Sequence, residues 1–122
     1  MKKQRAPRQD REGPIHRAIL ELLDITLPPD AIYHHSPNEL DMAGSKAAWQ
    51  IAKARNLGTK AGWGDIEIIW RRQFYMLEVK AKTGQSEAQK EIQRKITLAG
   101  GRYAVVRSVD DAQVILKSWG LI

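Results

Sequence analysis

The chain has 122 residues, a net charge of +6, 43% apolar residues and no cysteine. That length suits one compact domain with a real core, and the missing thiols exclude disulfides and thiolate-bound zinc. No apolar run approaches the ~20 residues that span a bilayer, and no hydrophobic stretch follows the basic start Met1-Lys2-Lys3-Gln4-Arg5, so an intracellular, cytoplasmic protein is expected.

Residues 1–11, with five Lys/Arg against one Asp, are expected to be a disordered basic tail ahead of a folded domain over 12–122. Pro14 suits the first turn of a helix whose apolar residues Ile15, Ala18, Ile19, Leu22 and Leu23 recur at helical spacing. Leu27-Pro28-Pro29 ends it. A short strand follows over Ala31–His35, stopped at Ser36-Pro37-Asn38. A second helix is expected from Ser45 to Asn56, closed by Leu57-Gly58, and then a loop with three glycines between Gly58 and Gly64. Ile66–Trp70 and Phe74–Lys80 read as two strands joined across Arg71-Arg72-Gln73. Ser86-Glu87-Ala88-Gln89 has the capping-box pattern of a third helix, which Gly100-Gly101 stops. Tyr103–Val106 is a strand expected to be covered on both faces, and Ser108–Asp111 opens a final helix through Trp119. The order predicts a layered α/β domain with a mixed sheet flanked by helices.

Charge is unevenly placed along these elements. Residues 18–41 carry five acids and no base, whereas residues 42–64 carry Lys46, Lys53, Arg55 and Lys60 and no acid. Two basic blocks fit either a polyanion partner or simple solubility. The second block favours the partner, because it ends at Asp65.

Asp65 matters through the hairpin. A two-residue turn at Arg71-Arg72 pairs Glu67 with Met76 and sets Glu78 directly opposite Asp65, while Ile66, Ile68, Tyr75, Leu77 and Val79 form an apolar face. Arg-Arg lacks the glycine or asparagine that tight turns favour. Opposed carboxylates roughly 5 Å apart at Cβ destabilise a sheet unless something neutralises them. Mg²⁺ or Mn²⁺ would do so, with the Val79 carbonyl as a further oxygen ligand. Lys80, on the face of Glu78, is then placed to orient a water or offset charge on a phosphodiester. An isolated Glu-x-Lys triplet is commonplace and usually a solvated strand face; the Gly62-Trp63-Gly64-Asp65 loop and the basic block lift this one above that background.

The ordered series His35-Ser36-Pro37-Asn38-Glu39, Gly62-Trp63-Gly64-Asp65-Ile66, Leu77-Glu78-Val79-Lys80, Ser86…Gln89 and Gly101-Arg102-Tyr103-Ala104-Val105-Val106 resembles the virus-type replication-repair nuclease domain (VRR-NUC) of the PD-(D/E)XK phosphodiesterase superfamily. The resemblance spans residues 12–118, with Gly64 standing where the superfamily has a proline. It implies a restriction-endonuclease-like fold and Mg²⁺- or Mn²⁺-dependent cleavage of DNA. Asp65 and Glu78 would be metal ligands, Lys80 the catalytic lysine, and Gln89 the family's glutamine, although Gln89 is also the fourth position of a capping box. The family's acid in the first helix matches Glu12 better than Glu21, which can instead pair with Arg17 one turn away. Lys46, Lys53, Arg55 and Lys60 would contact phosphates.

His34 and His35 point to opposite faces of a strand and so cannot readily chelate one ion together; His35 is a candidate phosphate contact. Trp49, Trp63, Trp70 and Trp119 read as core or interface residues, with Trp63 beside Asp65 the one to watch. Minimal-size members of the family it resembles often work as dimers, so a homodimer acting on branched or flapped DNA is expected, and the short standalone form resembles phage-encoded members acting in the host cytoplasm. The rivals are a nucleic-acid-binding module without catalysis and an adaptor whose acids and lysine are surface charge.

Overall fold

Period-two alternation from Ile66 to Val79 becomes the centre of the molecule. The computed structural model describes residues 11–36 and 60–122. Residues 1–10 of the expected tail over 1–11, the expected helix Ser45–Asn56 with Lys46, Trp49, Lys53 and Arg55, and the loop start at Gly58 lie outside them. Helix α1 spans Glu12–Thr26, strand β1 Ile32–His35, β2 Ile66–Trp70, β3 Gln73–Val79, helix α2 Glu87–Leu98, β4 Arg102–Val106 and α3 Val109–Ser118. Among the described residues the strands form one sheet in the order β1-β2-β3-β4. β1 and β3 each run antiparallel to β2, and β4 runs parallel to β3.

The β2–β3 register is the one the alternation demands: Glu67 faces Met76, Ile68 faces Tyr75 and Trp70 faces Gln73. Arg71 and Arg72 take φ of 47° and 66°, the left-handed pair of a type I′ turn. Side chains other than glycine bear about 1–2 kcal/mol each there. Burial of Ile66, Ile68, Tyr75 and Leu77 offsets this, at roughly 1.5–3 kcal/mol per large apolar side chain. The Arg71 guanidinium lies 4.4 Å from the Trp70 ring centroid, and the Trp70 indole donates to Asp30 Oδ1 at 2.8 Å.

Two cores sandwich the sheet. On one face Ile19 and Leu23 of α1, and Ala112 and Leu116 of α3, pack on Ile66, Ile68, Leu77, Val79 and Val106. On the other, Ile92 and Ile96 of α2 pack on Met76, with Trp63, Phe74 and Tyr103 around them. Trp119 joins the first core, 5.3 Å from the Tyr75 ring.

Helix boundaries follow local chemistry. Pro28 forces Leu27 into extended backbone and ends α1. Ser86 accepts from the Gln89 amide at 3.2 Å while Gln89 Oε1 accepts from the Ser86 amide at 2.8 Å, a complete capping box. Ser108 accepts from the Asp111 amide and caps α3. Gly100, at φ 91°, ends α2. As expected, β4 is covered on both faces: Ala104 and Val106 join the first core and Tyr103 the second. It pairs with β3 alone, at an edge of the described sheet, and Tyr103, Ala104 and Val105 stay half-buried. No described helix is long and apolar enough to cross a membrane.

Candidate functional site

The hairpin brings Asp65 and Glu78 together at the end of the sheet away from the turn. The regular ladder stops at Ile66–Leu77, so the expected direct opposition of Asp65 and Glu78 as a sheet pair is not formed. Instead the Asp65 amide donates to the Leu77 carbonyl at 3.0 Å, and its carbonyl accepts from the Ser36 amide at 2.9 Å. Its Oδ2 accepts from the Val79 amide at 2.7 Å, so a side chain takes the place of a backbone rung. At Val79 the structure ties down the amide; the carbonyl expected as a ligand belongs to the Val79–Lys80 peptide.

Two glycines let the loop reach this position. Gly62, at φ 81°, sits so close to α2 that a Cβ there would lie 2.4 Å from the Ala88 carbonyl carbon and 2.6 Å from the Gln89 nitrogen. At Gly64 a Cβ would fall 2.4 Å from the Met76 side chain. Trp63 lies between them and packs near Phe74, at 6.5 Å between ring centroids.

Glu78 is 3% exposed. Gln89 Nε2 donates to its Oε1 at 2.9 Å, so one glutamine both closes the capping box and holds Glu78. The Tyr103 hydroxyl faces Oε2 at 3.5 Å, a long contact. Lys80 Nζ stands 3.9 Å from Oε1. Burial pushes the Glu78 carboxyl up to about 8, and the adjacent Asp65 charge pushes the same way, against Lys80. A hydrogen bond with Asp65 and the charge of Glu12 add to the rise. The ammonium at 3.9 Å does not offset burial and the Asp65 charge together. Burial first, and then the Glu78 charge, likewise raise the Tyr103 phenol.

Glu12, half-buried in the first turn of α1, is the helix acid whose charge Glu78 senses, whereas Glu21 is exposed further along the helix. Lys60 is exposed at the start of the glycine loop. The two histidines diverge: His35 lies edge-on to His16, 4.4 Å between centroids, while His34 Nδ1 is 3.7 Å from Glu67 Oε1.

A second polar centre went unrecognised in the sequence. Glu67 Oε1 accepts from the Trp63 indole at 2.9 Å and from the Ser36 hydroxyl, with His34 beyond. The signal was present, since Glu67 shares the strand face of Asp65 two residues away.

All the donors at Asp65 and Glu78 are oxygens, which suits a hard cation. Two adjacent acids whose charges repel are also a place where a dication relieves repulsion. Among the described residues no three Asp, Glu or His side chains form a ready-made cage. Mg²⁺ commonly takes only one or two protein carboxylates and keeps its waters. The residues present therefore fit such an ion.

No protein-family model matches the chain, and no curated protein matches it. A solved structure of a VRR_NUC domain protein aligns with 93% of this chain and 92% of its own, at a TM-score of 0.72 and 22% sequence identity. The chain has the restriction-endonuclease-like α/β fold, a mixed sheet between helices, in common with that VRR_NUC domain protein.

Proposed function

We propose that the protein is a Mg²⁺- or Mn²⁺-dependent nuclease that hydrolyses DNA phosphodiester bonds by attack of water. The observation that carries this reading is the buried Glu78 beside Asp65, with Lys80 3.9 Å away on the same strand end. The shared fold with a VRR_NUC domain protein supports it.

Asp65 and Glu78 would hold the ion, with the Val79 carbonyl and Glu12 as further oxygen donors. When bound, the ion supplies Lewis-acid stabilisation to the phosphodiester. Lys80 offsets charge that builds on the phosphate and orients the attacking water. Gln89 keeps Glu78 turned toward the site. Lys60, with Lys46, Lys53 and Arg55, would contact the DNA backbone, and His35 would add a further phosphate contact. We further propose a homodimer acting on branched or flapped DNA, since one small domain offers little surface for gripping a junction.

The test is digestion of flap, fork, four-way-junction and single-stranded DNAs with Mg²⁺ or Mn²⁺, using the wild type and Lys80→Ala. Cleavage by the wild type alone, with DNA binding largely kept in the variant, is expected. Equal metal-dependent cleavage by Lys80→Ala would sink the mechanism, and no cleavage by the wild type would make the chain a binding module.

A further inference from the structure

Asp65 is held from several sides, and two of the residues that hold or flank it meet at one distant atom. Ser36 donates its amide to the Asp65 carbonyl at 2.9 Å. Trp63 precedes Asp65 across Gly64 in a loop pressed against α2 and Met76. The Ser36 hydroxyl and the Trp63 indole N–H both donate to Glu67 Oε1. Ser36 directly follows β1 and is 7% exposed, and Trp63 comes from the glycine loop, so a carboxylate on β2 ties two separate chain segments together. Both are the segments that fix the Asp65 backbone.

We propose that Glu67 is a positioning residue for Asp65. Its carboxylate draws Ser36 and Trp63 onto the β2 face and so sets the direction from which the Asp65 side chain leaves the backbone. Glu67 does not itself touch the reacting atoms. A charged acceptor suits this role, because hydrogen bonds to an ionised oxygen are roughly twice as strong as neutral ones. Outer partners of this kind typically change metal affinity about ten- to hundredfold when removed. The role at the reaction rests on the nuclease reading; the restraint on Asp65 does not.

The test uses the full chain and two readouts. The first is amide hydrogen exchange without metal, followed at Trp63, Gly64 and Asp65 and compared with the core amides of Leu77 and Val106. Glu67→Ala is expected to speed exchange at the loop about tenfold with little change in the core, and Glu67→Gln, which keeps an acceptor oxygen, to recover most of that loss. The second is Mn²⁺ binding by calorimetry, in which Glu67→Ala weakens affinity about tenfold or more. Trp63→Phe, which removes the indole donor, should weaken it too, and the double variant should be no worse than the weaker single one. Unchanged exchange at Asp65 in Glu67→Ala overturns the proposal, as do strictly additive effects on Mn²⁺ affinity. Should Glu67→Ala unfold, Trp63→Phe against Glu67→Gln decides by the same criteria. A wild type that never cleaves DNA but shows the expected exchange pattern sinks the nuclease reading and leaves this inference standing.

Discussion

Replacing Gly62 by alanine probes how closely the glycine loop and the capping box are built against each other. The new Cβ would stand 2.4 Å from the Ala88 carbonyl carbon, 2.5 Å from its oxygen and 2.6 Å from the Gln89 nitrogen, all backbone atoms. Ordinary carbon contacts begin near 3.5 Å, so loop and helix must separate by about 1 Å. Gln89 would then lose its 2.9 Å bond to Glu78. Overpacking of this kind costs about 1–3 kcal/mol, and alanine at the 81° φ adds about 1–2 kcal/mol. A chain of this size loses roughly 3–6 °C of Tm per kcal/mol, which for about 2–5 kcal/mol places the drop at about 6–30 °C. Gly100→Ala is the internal control: its φ is 91°, yet nothing lies within 4 Å of the added Cβ, so it reports the backbone effect alone. Thermal melts at neutral pH, followed by circular dichroism, should show a Gly62→Ala loss at least twice that of Gly100→Ala. Equal losses would refute the close approach and the coupling of loop to helix built on it.

Three further outcomes are expected. The Glu78 carboxyl is raised from 4.5 to about 8, so the folded state keeps a proton that the unfolded chain releases. Stability is therefore full below the unfolded value and falls by ~2–4 kcal/mol as pH rises to about 8; urea unfolding across that window should show the slope in the wild type and not in Glu78→Gln. Gln89→Glu keeps the capping-box acceptor but sets a third carboxylate against Glu78, so its urea midpoint should fall below that of the wild type by the equivalent of ~1–3 kcal/mol; an unchanged midpoint would mean the Nε2 contact contributes nothing. Arg71→Asn with Arg72→Gly gives the type I′ turn its favoured residues and should raise stability by ~1–2 kcal/mol in chemical denaturation. No gain would show that the Arg71–Trp70 contact outweighs the left-handed backbone.

Much of this site is local in sequence, which is why it could be read there. Turn length and period two together leave one register for Ile66–Trp70 against Gln73–Val79, and that register carries Asp65 toward Glu78. The capping box at Ser86–Gln89 needs only four residues to recognise it. Glu67 escaped because its partners come from β1 and from the glycine loop, and a strand pattern does not reveal which neighbour it will have. The Asp65 side chain standing in for a backbone rung was equally hidden, since alternation assumes the ladder continues. Tyr103 reaches Glu78 only through the parallel pairing of β4 on β3, a long-range contact. The left-handed Arg-Arg turn runs against local preference and is held by the strands it joins.

The two-residue turn also makes part of the site a local feature of the chain. Hairpins close in about 1–10 μs, long before pairings that need a crossover through a helix. Asp65 and Glu78 thus need only the hairpin to be brought near each other, whereas Gln89 and Tyr103 reach Glu78 only once α2 and β4 are docked. Lys80 travels with the same hairpin, adjacent to the end of β3. The acid pair and its first counter-charge thus belong to one supersecondary unit, on which the rest of the domain packs.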